Sequence, residues 1–93
     1  MIKPALKIFI PQHQEVIMAL NKSLQQQDAK ELKKIAHTFK GSAMTWGSEP
    51  LTECCKQLMT LAEQQNYSEI PKAIEKLDAT SIALIKALEE RYS

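Results

Sequence analysis

The residues of this 93-residue chain whose types and spacing could do chemistry lie in one short stretch, residues 37–43. A helix advances about 100° per residue, so it would place His37 nearly opposite the apolar Phe39. Lys40 and Gly41 follow one turn after His37 on the same face. The sequence therefore predicts an exposed imidazole beside a cation and beside a residue without a side chain, an arrangement suited to nucleophilic attack on an anionic group.

The lysines and the glycine have physical consequences for this imidazole. Cations one turn away disfavour a second positive charge, so Lys33 and Lys40 favour the neutral, nucleophilic ring and would stabilise an anion added to it. Gly41 costs a helix interior about 1 kcal/mol relative to alanine, but it lets another surface approach. No Asp or Glu lies within one turn on this face, so the pattern differs from a hydrolase triad. A phosphoryl carrier fits these features; a histidine without a role is the alternative.

Composition argues against several other classes of function. The net charge is +1 and aromatic residues make up 5% of the chain, which disfavours a nucleic-acid surface. No apolar run approaches the roughly 20 residues of a membrane span, and the N-terminus lacks a signal-peptide pattern, so we expect a cytoplasmic protein without membrane contact. Cys54 and Cys55 are adjacent and do not suit an ordinary disulfide. With His13 and His37 they also lack any recognised metal-ligand spacing, so we expect no metal.

Amphipathic helices joined by short connections must position the stretch around His37. A short apolar segment, residues 3–10, is predicted to end at Pro11, because proline disfavours a helical residue before it. Longer helices are predicted at about residues 12–26, 29–46, 49–65 and 69–92, from their apolar periodicity. Predicted N-caps are Asp28, Ser48 and Ser68, and Gly47 is the predicted end of the helix that carries His37.

These elements predict an all-α fold in a single domain spanning residues 1–93. Short connections make sequential helices antiparallel neighbours. The expected architecture is an antiparallel up-down-up-down four-helix bundle with a short additional N-terminal helix.

The stretch from Ala36 to Ala43, followed by Trp46 and Gly47, resembles the signature of histidine-containing phosphotransfer (Hpt) domains of bacterial phosphorelays. The signature combines an Ala-His pair, a spacer, an apolar residue and Lys-Gly-Ser-Ala, and the resemblance covers nearly the whole chain. There are small departures: Phe39 replaces a commoner leucine, Trp46 is larger than usual, and Met59 stands where many members have glutamate.

The resemblance implies that His37 takes a phosphoryl group on Nε2 from the phospho-aspartate of a response-regulator receiver domain and donates it to another receiver. Lys40 would give electrostatic support and Gly41 steric access. The chain would be a phosphohistidine carrier without ATP-dependent kinase activity, small-molecule turnover or a cofactor of its own, and the Mg²⁺ would belong to the receiver. The alternative is a non-catalytic helical adaptor that binds a receiver without phosphotransfer.

A surface that docks receivers is expected around His37. On the helical wheel the neighbouring residues are Lys30, Lys33, Lys34 and Met44, and Met18 of the preceding helix would extend the patch. An ordinary solvated lysine face is the alternative. We expect a monomer, either free-standing or part of a hybrid sensor histidine kinase.

Overall fold

The computed structural model describes residues 4–92, which form four helices. They are α1 Pro4–Gln25, α2 Ala29–Thr45, α3 Glu49–Glu63 and α4 Ile70–Tyr92. No strand occurs among the described residues, which confirms the all-α class. α1 packs against α2 and α4, and α3 packs against the same two helices, so the four surround one core. Of the helices in residues 4–92, none combines the length and the apolar composition that a membrane span needs.

The predicted short N-terminal helix is wrong, because α1 is one helix that continues through Pro11. The predicted first residue, Lys3, lies outside the described residues. Phe9 and His13 are one turn apart, and both are buried, while Pro11 between them is exposed. A proline inside a helix costs about 3 kcal/mol through its missing N–H and its steric clash. Burial of the Phe9 and His13 rings on one continuous face offsets that local preference.

The predicted ends of α2 and the predicted start of α3 are confirmed. The Asp28 carboxylate accepts from the N–H of Glu31, and the Ser48 hydroxyl accepts from the N–H of Leu51. Gly47 has a φ of +68°, in the left-handed region that glycine enters without steric cost. These residues make the sharp connection after the helix that carries His37.

The predicted N-cap at Ser68 is wrong. α4 begins only at Ile70, and the Ser68 hydroxyl instead donates to Oδ1 of Asn66 at 2.9 Å. The Asn66 carbonyl accepts from the N–H of Ile70. In the same turn the Tyr67 hydroxyl donates to the Gln27 carbonyl at 2.8 Å, which ties this connection to the one before α2. Contacts between distant parts of the chain therefore influence where α4 begins, whereas local propensity favoured Ser68 as its N-cap.

Aromatic rings form the part of the core behind His37. Phe39 is fully buried and stacks on Phe9 with 5.8 Å between ring centroids, and Phe9 meets Trp46 edge-on at 5.9 Å. Large side chains that are fully buried complete this core: Leu20, Leu32, Leu51, Leu58, Ile70 and Leu77. Because Phe39 fixes the rotation of α2 about its own axis, the face that carries His37 points away from the core.

A buried histidine and an aspartate join α1 to α4. His13 is 7% exposed, and its Nε2 lies 2.9 Å from Oδ1 of Asp78. The imidazole also stacks on Phe39, with 6.4 Å between ring centroids. A buried polar atom needs such a partner, since burying it without one is costly. No companion for His13 is visible in the sequence, because the two residues are far apart in the chain and meet only through helix packing.

Replacing Asp78 with alanine is expected to lower the free energy of unfolding by about 1–3 kcal/mol, because a buried nitrogen of His13 loses its partner. The double variant His13→Leu with Asp78→Ala should recover part of this loss, since no unpaired polar atom remains. Chemical denaturation measures both. Glu75→Ala, on an exposed position of the same helix, is the matched control and should change stability by less than about 0.5 kcal/mol. A double variant less stable than Asp78→Ala would contradict the explanation.

Candidate functional site

His37 lies on the exposed side of α2, as predicted. The opposite side of the helix is buried through Leu32, Ala36, Phe39 and Ala43, which hold α2 against the core. Among the described residues, no side chain forms a hydrogen bond or an ion pair with the His37 ring. The backbone that carries the imidazole is therefore held by the core, and no partner among the described side chains competes with another protein for the ring.

Lys40 lies where α2 meets α3. It is half-buried, three residues after His37, and its ammonium acts electrostatically on Cys55 of α3. Burial raises the pKa of the Cys55 thiol to about 12; Cys54 adds to the increase and Lys40 opposes it. The thiol therefore stays protonated at neutral pH and offers Lys40 no counter-charge. The ammonium is left available to an anion on the His37 face. Both cysteines are free and buried.

The other lysines of the predicted docking surface differ in their surroundings. Lys33 is exposed and forms an ion pair with Glu63 of α3. Lys30 and Lys34 are also exposed, and within residues 4–92 neither forms an ion pair. The ammonium group of Lys33 is thus paired with a carboxylate on a neighbouring helix, while the ammonium groups of Lys30 and Lys34 face solvent.

The two methionines of the predicted docking surface are the most exposed large apolar side chains among the described residues. Met44 is 63% exposed and Met18 is 73% exposed. Met44 lies two turns beyond His37 on the same side of α2. It also lines an open groove of about 510 Å³ between the end of α2 and the first turns of α3. Met18 is on α1, so the structure places one methionine on the helix of His37 and the other on a neighbouring helix.

Nothing in the fold requires a glycine at position 41. A Cβ atom built on Gly41 would meet no atom within 4 Å, and the residue is exposed. Its backbone φ lies outside the left-handed region that favours glycine, in contrast to Gly47. The glycine therefore weakens the helix by about 1 kcal/mol relative to alanine without an intramolecular benefit. The remaining physical reason is the close approach of another molecule.

Comparison with known proteins shows to which family the chain belongs. A family model described as Hpt domain matches residues 4–91. The chain belongs to the Hpt family. A solved structure that it resembles is the crystal structure of histidine-containing phosphotransfer protein B (HptB) from Pseudomonas aeruginosa PAO1, with a TM-score of 0.87 and 26% sequence identity. The match covers 94% of this chain and 76% of that chain. None of the curated proteins matches the chain significantly.

As an Hpt domain, the chain is an intermediate of a two-component phosphorelay, which confirms the resemblance seen in residues 36–43. Membership of the Hpt family implies interaction with response-regulator receiver domains. In the part of the chain that the structure describes, no group of three or more His, Cys, Asp or Glu residues could hold a metal ion.

Two contacts that shape the site were not predicted from the sequence. Glu63 pairs with Lys33 beside His37, and the pair of His13 and Asp78 lies behind Phe39. Both join residues on different helices. The residue pattern within one helix does not predict either contact, because the partner depends on how the two helices are rotated and aligned.

Proposed function

We propose that His37 is the phosphoryl acceptor of this Hpt domain and that it carries the group between the aspartates of two receiver domains. The observation that supports this most strongly is the setting of the imidazole. It is exposed, it has no partner among the described residues, and Lys40 lies one turn away. The buried opposite face of α2 holds its backbone in place.

The proposed transfer uses the lone pair of Nε2. This nitrogen attacks the phosphorus of the receiver's aspartyl phosphate, and the N–P bond forms while the bond from phosphorus to the carboxylate oxygen breaks. The carboxylate leaves with the electron pair, and the Nδ1 proton passes to water. In the next step a carboxylate oxygen of the second receiver's aspartate attacks the phosphorus, and the O–P bond forms while the N–P bond breaks. The electron pair of the broken bond returns to Nε2, and the imidazole recovers a proton from water.

Lys40 and Gly41 would support this step in different ways. The Lys40 ammonium, near the ring and without a counter-charge from Cys55, would offset the negative charge on the transferring phosphoryl oxygens. Gly41 would let the receiver's active site reach Nε2. We assign the Mg²⁺ to the receiver and no cofactor to the Hpt domain.

We propose that receivers dock over Lys30, Lys33, Lys34 and Met44, with Met18 extending the surface. Exposed cations favour encounter with a partner that carries a phosphoryl group, through steering at low ionic strength. The exposed thioether of Met44 supplies apolar area at the same face.

We propose a single Hpt domain over residues 1–93, with its helices up, down, up and down, acting as a cytoplasmic monomer. The connections at residues 26–28 and 46–48 are short, which favours antiparallel neighbours. Contacts support this order: Gln12 meets Ser42, and the earlier Phe9 meets the later Trp46. The domain would work either free-standing or as part of a hybrid sensor histidine kinase.

The experiment that tests the proposed function is incubation with a receiver that carries radiolabelled aspartyl phosphate. We expect label on this chain that is lost in acid and kept in alkali, as for a phosphohistidine. A second unlabelled receiver should then remove it. A chain that bound the receiver and took no label would be the non-catalytic adaptor.

Replacing Gly41 with glutamine is expected to raise the free energy of unfolding by roughly 0.5–1 kcal/mol, because nothing crowds the new side chain and glutamine favours helix. The same change should slow the transfer of label, because the longer side chain obstructs the approach to His37. Denaturation and the labelling rate measure the two effects. Gly41→Ala is the control, with a similar gain in stability and a smaller loss of rate. Equal transfer rates for glycine and glutamine would contradict the access argument.

A further inference from the structure

One of the three exposed lysines that precede His37 on α2 is already paired within the chain. Lys33 lies one turn before His37 on the same helix face, and its ammonium forms an ion pair with Glu63 of α3. Lys30 and Lys34 are exposed as well, and within residues 4–92 neither forms an ion pair. The charge of Lys33 is therefore offset by this chain, whereas the charges of the other two lysines are available to a partner.

The position of Glu63 is unfavourable within its own helix. Glu63 is the last residue of α3, where the negative end of the helix macrodipole disfavours a carboxylate and favours a cation. The last turn of α3 contains no basic residue that would offset this effect. The favourable contact that the structure gives this carboxylate therefore comes from Lys33 on the neighbouring helix.

The ion pair is open to exchange with an outside group. The side chain of Lys33 is 46% exposed and that of Glu63 is 56% exposed. Ion pairs between exposed side chains contribute little stability, because water and salt screen them. A carboxylate on a docking partner can therefore replace the Glu63 carboxylate at Lys33 without a large loss of stability.

We propose that Glu63 is a positioning residue that competes with a carboxylate of the docking receiver for Lys33. This rests on the proposed receiver-docking surface around His37. Glu63 holds the Lys33 ammonium toward α3, so Lys33 contributes to docking only when the receiver supplies a carboxylate in place of Glu63. Lys30 and Lys34 attract an anionic receiver without such an exchange. The ion pair thereby weakens the general attraction of anions to this face.

The first test titrates the full chain, at low ionic strength, with a receiver domain that carries beryllofluoride and Mg²⁺ as a stable mimic of the aspartyl phosphate. Glu63→Gln is expected to lower the dissociation constant about two- to fivefold, the range of an exposed ion pair. The gain should shrink in about 1 M salt, where charges are screened over about 3 Å. Glu75→Gln removes the same charge from an exposed position of α4, which packs against α1 and α3, and should leave the constant unchanged.

A double-mutant cycle decides whether Glu63 acts through Lys33. In a Lys33→Ala background, Glu63→Gln should lose most of its gain in affinity, because no ammonium is set free. An equal gain with and without Lys33 would show that Glu63 repels the receiver directly, and would overturn the proposal. A Glu63→Gln chain that unfolds at a lower denaturant concentration and gains no affinity would also overturn it, since the ion pair would then be only structural.

The transfer of label separates this proposal from the proposed role of His37. Glu63→Gln should lower the receiver concentration that gives half of the maximal labelling rate and leave the maximal rate unchanged, because Glu63 acts on docking. Label on the wild type with the same half-maximal concentration in Glu63→Gln would overturn the competition for Lys33 alone. Tighter binding of Glu63→Gln with no label on any variant, wild type included, would support the competition and overturn the role of His37.

Discussion

Replacing His37 with glutamine is expected to abolish acid-labile labelling of this chain by a phosphorylated receiver. The amide of glutamine has a similar size, but its nitrogen carries no available lone pair for attack on phosphorus. The second histidine of the chain does not replace it, because His13 is 7% exposed and its Nε2 is bonded to Asp78. The loss should therefore reach the background of the assay, which is the largest functional effect that the structure predicts.

The fold should tolerate this substitution. His37 is exposed and makes no hydrogen bond or ion pair with any described side chain, so the free energy of unfolding should change by less than about 0.5 kcal/mol. Lys40→Ala is the matched comparison, because it keeps the nucleophile and removes the nearby cation. It should take label more slowly than the wild type and more rapidly than His37→Gln. Acid-labile label on folded His37→Gln would refute the assignment.

Replacing Phe39 with alanine is expected to lower the free energy of unfolding by about 3–5 kcal/mol, the largest effect on stability. The ring is fully buried and stacks on both Phe9 and His13, so its removal leaves a cavity where three rings meet. A domain of this size is stable by about 5–15 kcal/mol in total, so the loss is a large share. Without the Phe39 ring, α2 would be held less firmly against the core.

Chemical denaturation with parallel helicity measurements checks this expectation. Phe39→Leu should lose less, because it keeps most of the buried apolar volume and the Hpt signature commonly has leucine there. Ile82→Ala, at an exposed position of α4, is the control and should stay within about 0.5 kcal/mol of the wild type. A loss of less than about 1 kcal/mol for Phe39→Ala would show that the three rings do not anchor the helix.

Prediction and structure differ most in α1. The rule that proline ends the helix before it describes local backbone sterics, and it placed a boundary at Pro11. The structure keeps one helix there because Phe9 and His13 share a buried face that runs across the proline. The predicted N-cap at Ser68 is wrong for a related reason, since Asn66 and Tyr67 make the contacts that determine where α4 starts.

Features that depend on neighbours within one helix follow from the order of the amino acids. The period of α2 puts Phe39 inside and His37 outside, and Asp28, Ser48 and Gly47 mark helix ends through hydrogen bonds and backbone angles of nearby residues. The Hpt signature lies within that local pattern, so the order of the amino acids is enough to identify it.

Which residues of different helices meet depends on the packing of the whole bundle. The pairing of His13 with Asp78 and the ion pair of Lys33 with Glu63 both depend on the rotation and alignment of packed helices. These are set by the whole core at once, because each helix must bury its apolar face against two neighbours. The proposed nucleophile can therefore be identified from its own helix, whereas the ion pair beside it is supplied by the packing of α3 against α2.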